Sequence, residues 1–247
     1  MILLAALFLA AFWAGAQNAL AGGGSFITLP ALILSGMDAR AANITSTVAL
    51  FPAQIVTGYV GRRFASGAEG LPLRALAVIS FAGGAIGGLI LLATPSSFFA
   101  RLVPWLVLFA TAVFAYGAFG RSHSAGRRAA PPWVAATAQF FIAVYGGYFG
   151  GGIGFLMMAA LSVAGLAVRA AGATKNVLAG VMNASAVAIF VFSHDLHWTQ
   201  AIVTAIGASL GGALGANMLQ RVDERKLQVA IIIIGVILTI GLFSRAP

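Results

Sequence analysis

No cysteine occurs in these 247 residues, and only five carboxylates do. The first absence excludes disulfides, thiolate metal ligands and cysteine nucleophiles. The second matters because of where the five stand. Asp38, Glu69, Asp195, Asp223 and Glu224 all fall in or beside expected loops. No carboxylate is left inside a span to serve as a proton relay, and no acid, histidine or metal-ligand cluster is left for a membrane-embedded enzyme. HExxH, Walker, G-x-S-x-G and dinucleotide patterns are also missing from suitable contexts. Charge of either sign is scarce, at 8% of residues against 61% apolar, where a soluble domain carries roughly a quarter charged. The chain therefore reads as an all-α, polytopic integral membrane protein. It is not an enzyme, no cofactor or metal is expected, and the lipid bilayer is its surroundings.

The net charge of +9 would suggest nucleic acid in a soluble protein. Here the basic residues sit in short loops, so they report orientation, and no nucleic-acid partner is expected. Apolar runs of about 18 to 23 residues recur, long enough to span hydrocarbon. The expected elements lie near 2–21, 25–36, 42–61, 71–93 and 102–120, then 133–149, 154–166, 171–193, 198–219 and 227–244. Residues 1–16 have some signal-peptide character, but no basic residue precedes the apolar run, so the segment is read as the first membrane helix. Between the two sets lies the one long hydrophilic stretch, 121–132. This predicts a first transmembrane repeat at 1–120, a cytoplasmic linker at 121–132 and a second repeat at 133–247.

The repeat is visible in the residues themselves. Gly22-Gly23-Gly24 interrupts one apolar stretch, and Gly150-Gly151-Gly152 interrupts another. Arg40, Ala42, Thr45 and Val48 recur as Arg169, Ala171, Thr174 and Val177, and Gly83-Gly84-Ala85-Ile86-Gly87 recurs as Gly211-Gly212-Ala213-Leu214-Gly215. In each half the second element is short, about 12 residues or roughly 18 Å, against about 30 Å of hydrocarbon. The triplets thus predict hairpin apices that turn within the protein, where backbone is tolerated if it lines a cavity. With the 62–74 loop placed in the cytoplasm, that side collects Arg62, Arg63, Arg74, Arg121, Arg127, Arg128, Arg169, Arg221, Arg225 and Lys226. The outer side collects Arg40, Arg101 and Arg245. This obeys the positive-inside rule and starts the halves on opposite sides. Two inverted-topology repeats follow, each a glycine-apex hairpin plus three transmembrane helices, in a bacterial inner membrane.

Two constellations carry the candidate chemistry. The apices, Gly23 and Gly24 with Gly151 and Gly152, would present unpaired helix-start N–H groups and positive dipole ends to a small anion. The openings of the third elements offer the polar stretch Asn43, Thr45, Ser46 and Thr47 in one half and Thr174, Lys175 and Asn176 in the other, with Gln54 and Asn183 aligned two to three turns deeper. Lys175 also lies near enough to the surface to snorkel. Gly83, Gly84, Gly87, Gly211, Gly212 and Gly215 suit helix packing. Tyr145, Tyr148 and Met157-Met158 also read as packing, the four tryptophans as interface anchors, and His194-Asp195-Leu196-His197 as a solvated turn.

The Gly-Gly-Gly break, Pro30 behind it, the Ala-x-x-Thr-Ser element at Ala42–Ser46 and Thr174-Lys175-Asn176 resemble the sulfite exporter TauE/SafE family of membrane permeases. Pro30 has no counterpart in the second half, where Met158 stands. The resemblance covers both halves and implies movement, chiefly export, of small sulfur-containing anions such as sulfite or organosulfonates. A secondary transporter working by alternating access is the expected function. An anion channel, or an uptake carrier for another small organic anion, stays open beside it, as does a homo-oligomeric state.

Overall fold

The computed structural model describes residues 2–20, 23–119, 131–218 and 224–244. Gly22, nearly all of the 121–132 linker, Arg221, Asp223 and Arg245 lie outside the described residues, as do the surroundings of Gly215 and the side chains of Arg225 and Lys226. The first half runs α1 (Ile2–Leu20), α2 (Ser25–Leu34), α3 (Ala39–Gly61), a 3-10 turn at Arg62–Phe64, α4 (Leu73–Ala93) and α5 (Ser96–Phe119). The second runs α6 (Pro132–Tyr148), α7 (Ile153–Val163), α8 (Val168–Phe190), α9 (Trp198–Met218) and α10 (Glu224–Phe243). No strand occurs among the described residues; Ala68 and Leu71 form one isolated bridge. The expected order and type of element hold, with limits that shift by a few residues. Four of the described helices, within α3, α4, α5 and α8, are long and apolar enough to cross a membrane.

Local chemistry sets the element ends. The Asp38 carboxylate accepts from the N–H groups of Arg40 and Ala41 at 3.0 and 3.2 Å and so starts α3; an N-cap of this kind contributes about 1 kcal/mol. Pro95 stops α4, because the residue before a proline is driven out of the helical region. Pro132 opens α6 in the first turn, where its missing N–H costs nothing. The two short helices end alike. Gly36 and Gly165 have φ of +95° and +84°, and the next residue's N–H returns to a carbonyl five positions back, Met37 to Leu32 and Leu166 to Leu161.

At 10 and 11 residues, α2 and α7 are about 15 and 17 Å long, half of a hydrocarbon core. Each folds back on the helix before it through its glycine turn. Each also carries its own cluster of buried side chains. Leu29 and Leu32 of α2 pack with Ile44, Phe99 and Phe190. Met157 and Leu161 of α7 pack with Leu76, Leu178 and Met182.

The helix pairings come in matched sets. α1 lies on α9 and α4 on α6; α3 lies on α9 and α4 on α8; α2 touches α10 and α7 touches α5; α3 and α8 cross each other, as do α5 and α10. Glycine permits the closest of these approaches. A Cβ on Gly83 would stand 2.6 Å from the Ala143 Cβ, one on Gly84 would strike the Met182 carbonyl, and one on Gly211 the Phe12 carbonyl. Those glycines pack helices, as expected. The tryptophans are all more than half exposed on the outside of the bundle.

Candidate functional site

Both glycine turns border one cavity of about 50 Å³. A water needs about 10–15 Å³ on that scale, so there is room for a few waters or one small oxyanion. The wall is built from four places. Asn18, Gly23 and Ser25 come from the first hairpin, and Gly150, Ile153 and Gly154 from the second. Thr47, Leu50, Gln54 and Thr57 come from one face of α3, and Lys175, Asn176, Ala179 and Asn183 from one face of α8. Spacings of three and four residues keep each set on a single helix face.

The hairpins bring helix starts to this wall. Gly23 at φ +81° turns the chain into α2, and Gly150 and Gly152, both at φ +74°, turn it into α7. A side chain with a Cβ would be strained in that region. Ser25 and Gly154 then expose the first turns of α2 and α7, each with about half a positive charge of dipole behind it. The turns are held in place by side chains. Asn18 Oδ1 accepts from the Gly24 N–H at 3.3 Å, and the Tyr145 hydroxyl donates to the Gly151 carbonyl at 2.9 Å.

Lys175 sets the electrostatics. It is 9% exposed, so it does not snorkel out along α8. No carboxylate lines the cavity, and the Arg40–Asp195 ion pair, at 2.7 Å, lies elsewhere. An ammonium group taken out of water without a counter-charge costs several kcal/mol. With the two helix starts it makes the cavity positive on the side of α8 and of both hairpins, facing the neutral amide and hydroxyls of α3.

Of the residues expected from sequence, Gly23, Gln54, Lys175, Asn176 and Asn183 meet at this wall. Others are engaged nearby. Gly24 is the N-cap of α2. Gly152 is the N-cap of α7, and Gly151 borders a separate, smaller apolar cavity with Phe26 and Phe149. The Asn43 amide donates to the Tyr148 carbonyl at 3.1 Å. The Ser46 and Thr28 hydroxyls bond each other at 2.6 Å.

Thr45 and Thr174 point away from the cavity. Thr45 Oγ1 accepts from the His197 N–H at 3.3 Å. Thr174 Oγ1 accepts from the Ser66 N–H at 2.9 Å and donates to the Ser66 carbonyl at 3.1 Å. Each threonine thus ties a loop of the other half to its own helix. Thr45 precedes Gln54 by nine residues, and Thr174 precedes Asn183 by nine, about two and a half turns. Each threonine therefore lies on the helix face opposite its amide.

Asn18, Ser25 and Thr57 line the wall without having been singled out, whereas Thr47 belongs to the polar stretch and Gly150 to the glycine triplet that the sequence marked. Helical spacing and the repeat carried a further signal. Thr47 aligns with Asn176 across the repeat, and both Thr47 and Thr57 fall on the Gln54 face by helical spacing.

Residues 7–242 match the family described as sulfite exporter TauE/SafE. The chain is 30% identical to a probable membrane transporter protein, ORF9, of Sinorhizobium sp, over 98% of this chain and 93% of that one. It is 27% identical to a probable membrane transporter protein of Haemophilus influenzae, over 96% and 93%. It is 25% identical to the probable membrane transporter protein YfcA of Escherichia coli K12, over 96% and 88%. No solved structure matches. A helical bundle with membrane-length apolar helices, a small positive cavity between two broken hairpins and a family match from one end to the other agree: this chain belongs to the TauE/SafE family of membrane transporters.

Proposed function

We propose that this chain carries a small oxyanion across the bacterial inner membrane, sulfite or an organosulfonate being the substrate class, with export as the direction. The observation that carries the reading is Lys175, buried without a carboxylate in a cavity bordered by two helix starts. A bound anion supplies the missing counter-charge. The matched helix pairings support two inverted repeats, and the hairpin apices then sit at the repeat interface, where carriers of this architecture bind substrate.

The cavity is also lopsided. Thr57 and Asn176 at one end of the wall are half-buried, whereas Thr45 and Ser46, just beyond the other end and outside the cavity, are buried and hydrogen-bonded. This fits a carrier resting open toward the Arg62 and Arg169 side, the cytoplasm by the positive-inside rule, and shut toward the side of Arg40 and Asp195. An anion leaving a negative-inside cell gains about 2.3 kcal/mol per charge per 100 mV, enough to drive export without a second ion.

Proteoliposomes test the reading. With radiolabelled sulfite inside and an imposed potential, efflux should saturate with concentration and compete with unlabelled sulfite. Flux that rises without saturation favours a channel, and no flux above protein-free vesicles rejects the assignment.

A further inference from the structure

Gln54 and Asn183 hold corresponding places in the two halves of the sequence, and in the fold they meet. Asn183 Nδ2 donates to Gln54 Oε1 across the α3–α8 crossing. Both side chains line the cavity. Asn183 is 4% exposed, and its Oδ1 is buried with no hydrogen-bond partner. Gln54 Nε2 makes no hydrogen bond to another of the described residues. Turning both amides end for end exchanges these roles without changing the sum. Two amides joined by one hydrogen bond always leave one amide oxygen and one NH2 group to offer.

Most of the rest of the wall suits an anion that only accepts: an ammonium, two helix starts, the Ser25 hydroxyl, and the NH2 groups of Asn18 and Asn176, while the Thr47 and Thr57 hydroxyls donate to the Asn43 and Gln54 carbonyls. The dyad differs, because it sets an acceptor beside a donor. A fully deprotonated oxyanion has nothing to give the acceptor, and a buried polar atom left unpaired is costly. An anion that keeps one acidic hydrogen satisfies both sites through an X=O and an X–O–H on the same central atom.

We infer that the substrate is an oxyanion carrying its own proton, its O=X–O–H edge read by the Gln54–Asn183 dyad and its charge held by Lys175. This rests on the anion reading above and narrows it. Hydrogensulfite fits the whole wall, whereas a sulfonate, whose three oxygens all accept, leaves the dyad's acceptor unmet. The proton then crosses on the anion, and a cavity without a carboxylate needs none for that purpose.

Methanesulfonate and the monoanion of methylphosphonate form the test pair. Both are tetrahedral, bear one methyl group and one negative charge at mildly acidic pH, and differ in the central atom, sulfur against phosphorus, and in the hydrogen that the phosphonate keeps on oxygen. Titrated into the purified protein, the phosphonate monoanion should bind at least about tenfold more tightly. In the double variant Gln54→Leu/Asn183→Leu that advantage should vanish through weaker phosphonate binding, with the sulfonate unchanged. Should this variant fail to fold, the comparison in the unaltered protein decides alone. Equal affinities, or a tighter sulfonate, overturn the inference. If both then lose binding with Lys175→Ala, the anion site stands and the proton-bearing substrate falls. If neither anion nor sulfite binds, both readings fall together.

Discussion

A lone ammonium in a protein interior weakens the fold unless something negative joins it, and Lys175 is in that position whenever the cavity is empty. Removing it should therefore have opposite effects on binding and on stability. Lys175→Ala is expected to weaken sulfite binding at least tenfold while leaving the ligand-free melting temperature equal or higher, since an uncompensated buried charge costs several kcal/mol. A titration and a thermal melt on the same preparation check both; unchanged affinity removes Lys175 from the site. Thr174→Val should do the reverse. It deletes both hydrogen bonds to Ser66, so a loss of about 1–3 kcal/mol is expected, with sulfite affinity preserved. A large loss of affinity at constant stability would restore Thr174 to the binding wall. The same residues explain which part of the site was legible in the sequence. Lysine stood out as the one basic residue without a loop to sit in. Hydroxyls did not sort themselves, because Thr45, Ser46 and Thr47 are consecutive, and at 3.6 residues per turn they point about 100° apart. Thr45 meets the His197 N–H, Ser46 meets Thr28, and Thr47 reaches the cavity. Chemistry alone suggested all three.

At the level of elements the two hairpins decide the architecture, and these were readable from composition. Glycine triplets inside apolar runs, followed by pieces too short to span, left few alternatives for where the chain turns. Which glycine does which job was hidden, because that depends on φ and on neighbours far away in sequence. Gly23 turns at φ +81° and borders the cavity, with the Phe155 and Phe26 rings 3.2 Å from where a Cβ would stand. Gly36 turns at φ +95° into open space. The pair separates backbone strain from function. Gly23→Ala and Gly36→Ala should each cost about 1–2 kcal/mol of stability, the usual penalty for a side chain in left-handed backbone. Gly23→Ala alone should also lower sulfite affinity, because it reshapes the apex against two rings. Wild-type affinity in Gly23→Ala would mean that the first apex does not shape the site.

For the whole molecule the question is whether the first hairpin parts from α3 to open the side of Arg40 and Asp195, and the missing cysteines make that question tractable. Thr28 of α2 and Ser46 of α3 touch through hydroxyls 2.6 Å apart, just beyond the cavity on the side of Arg40 and Asp195. Thr28→Cys with Ser46→Cys introduces the chain's first two thiols, at a spacing that a disulfide can bridge with little adjustment. A fixed pore would not notice such a bond at a place that is already shut. A carrier that opens this side by swinging its first hairpin away from α3 must part them once per cycle. The oxidised variant is thus expected to bind sulfite with near-native affinity from the Arg62 and Arg169 side, yet to transport none. Reduction should return most of the flux, and since no native cysteine exists, any redox effect belongs to the engineered pair. Loss of binding together with transport would point to a distorted site. Undiminished flux through a fully cross-linked population would leave an opening between the first hairpin and α3 without support.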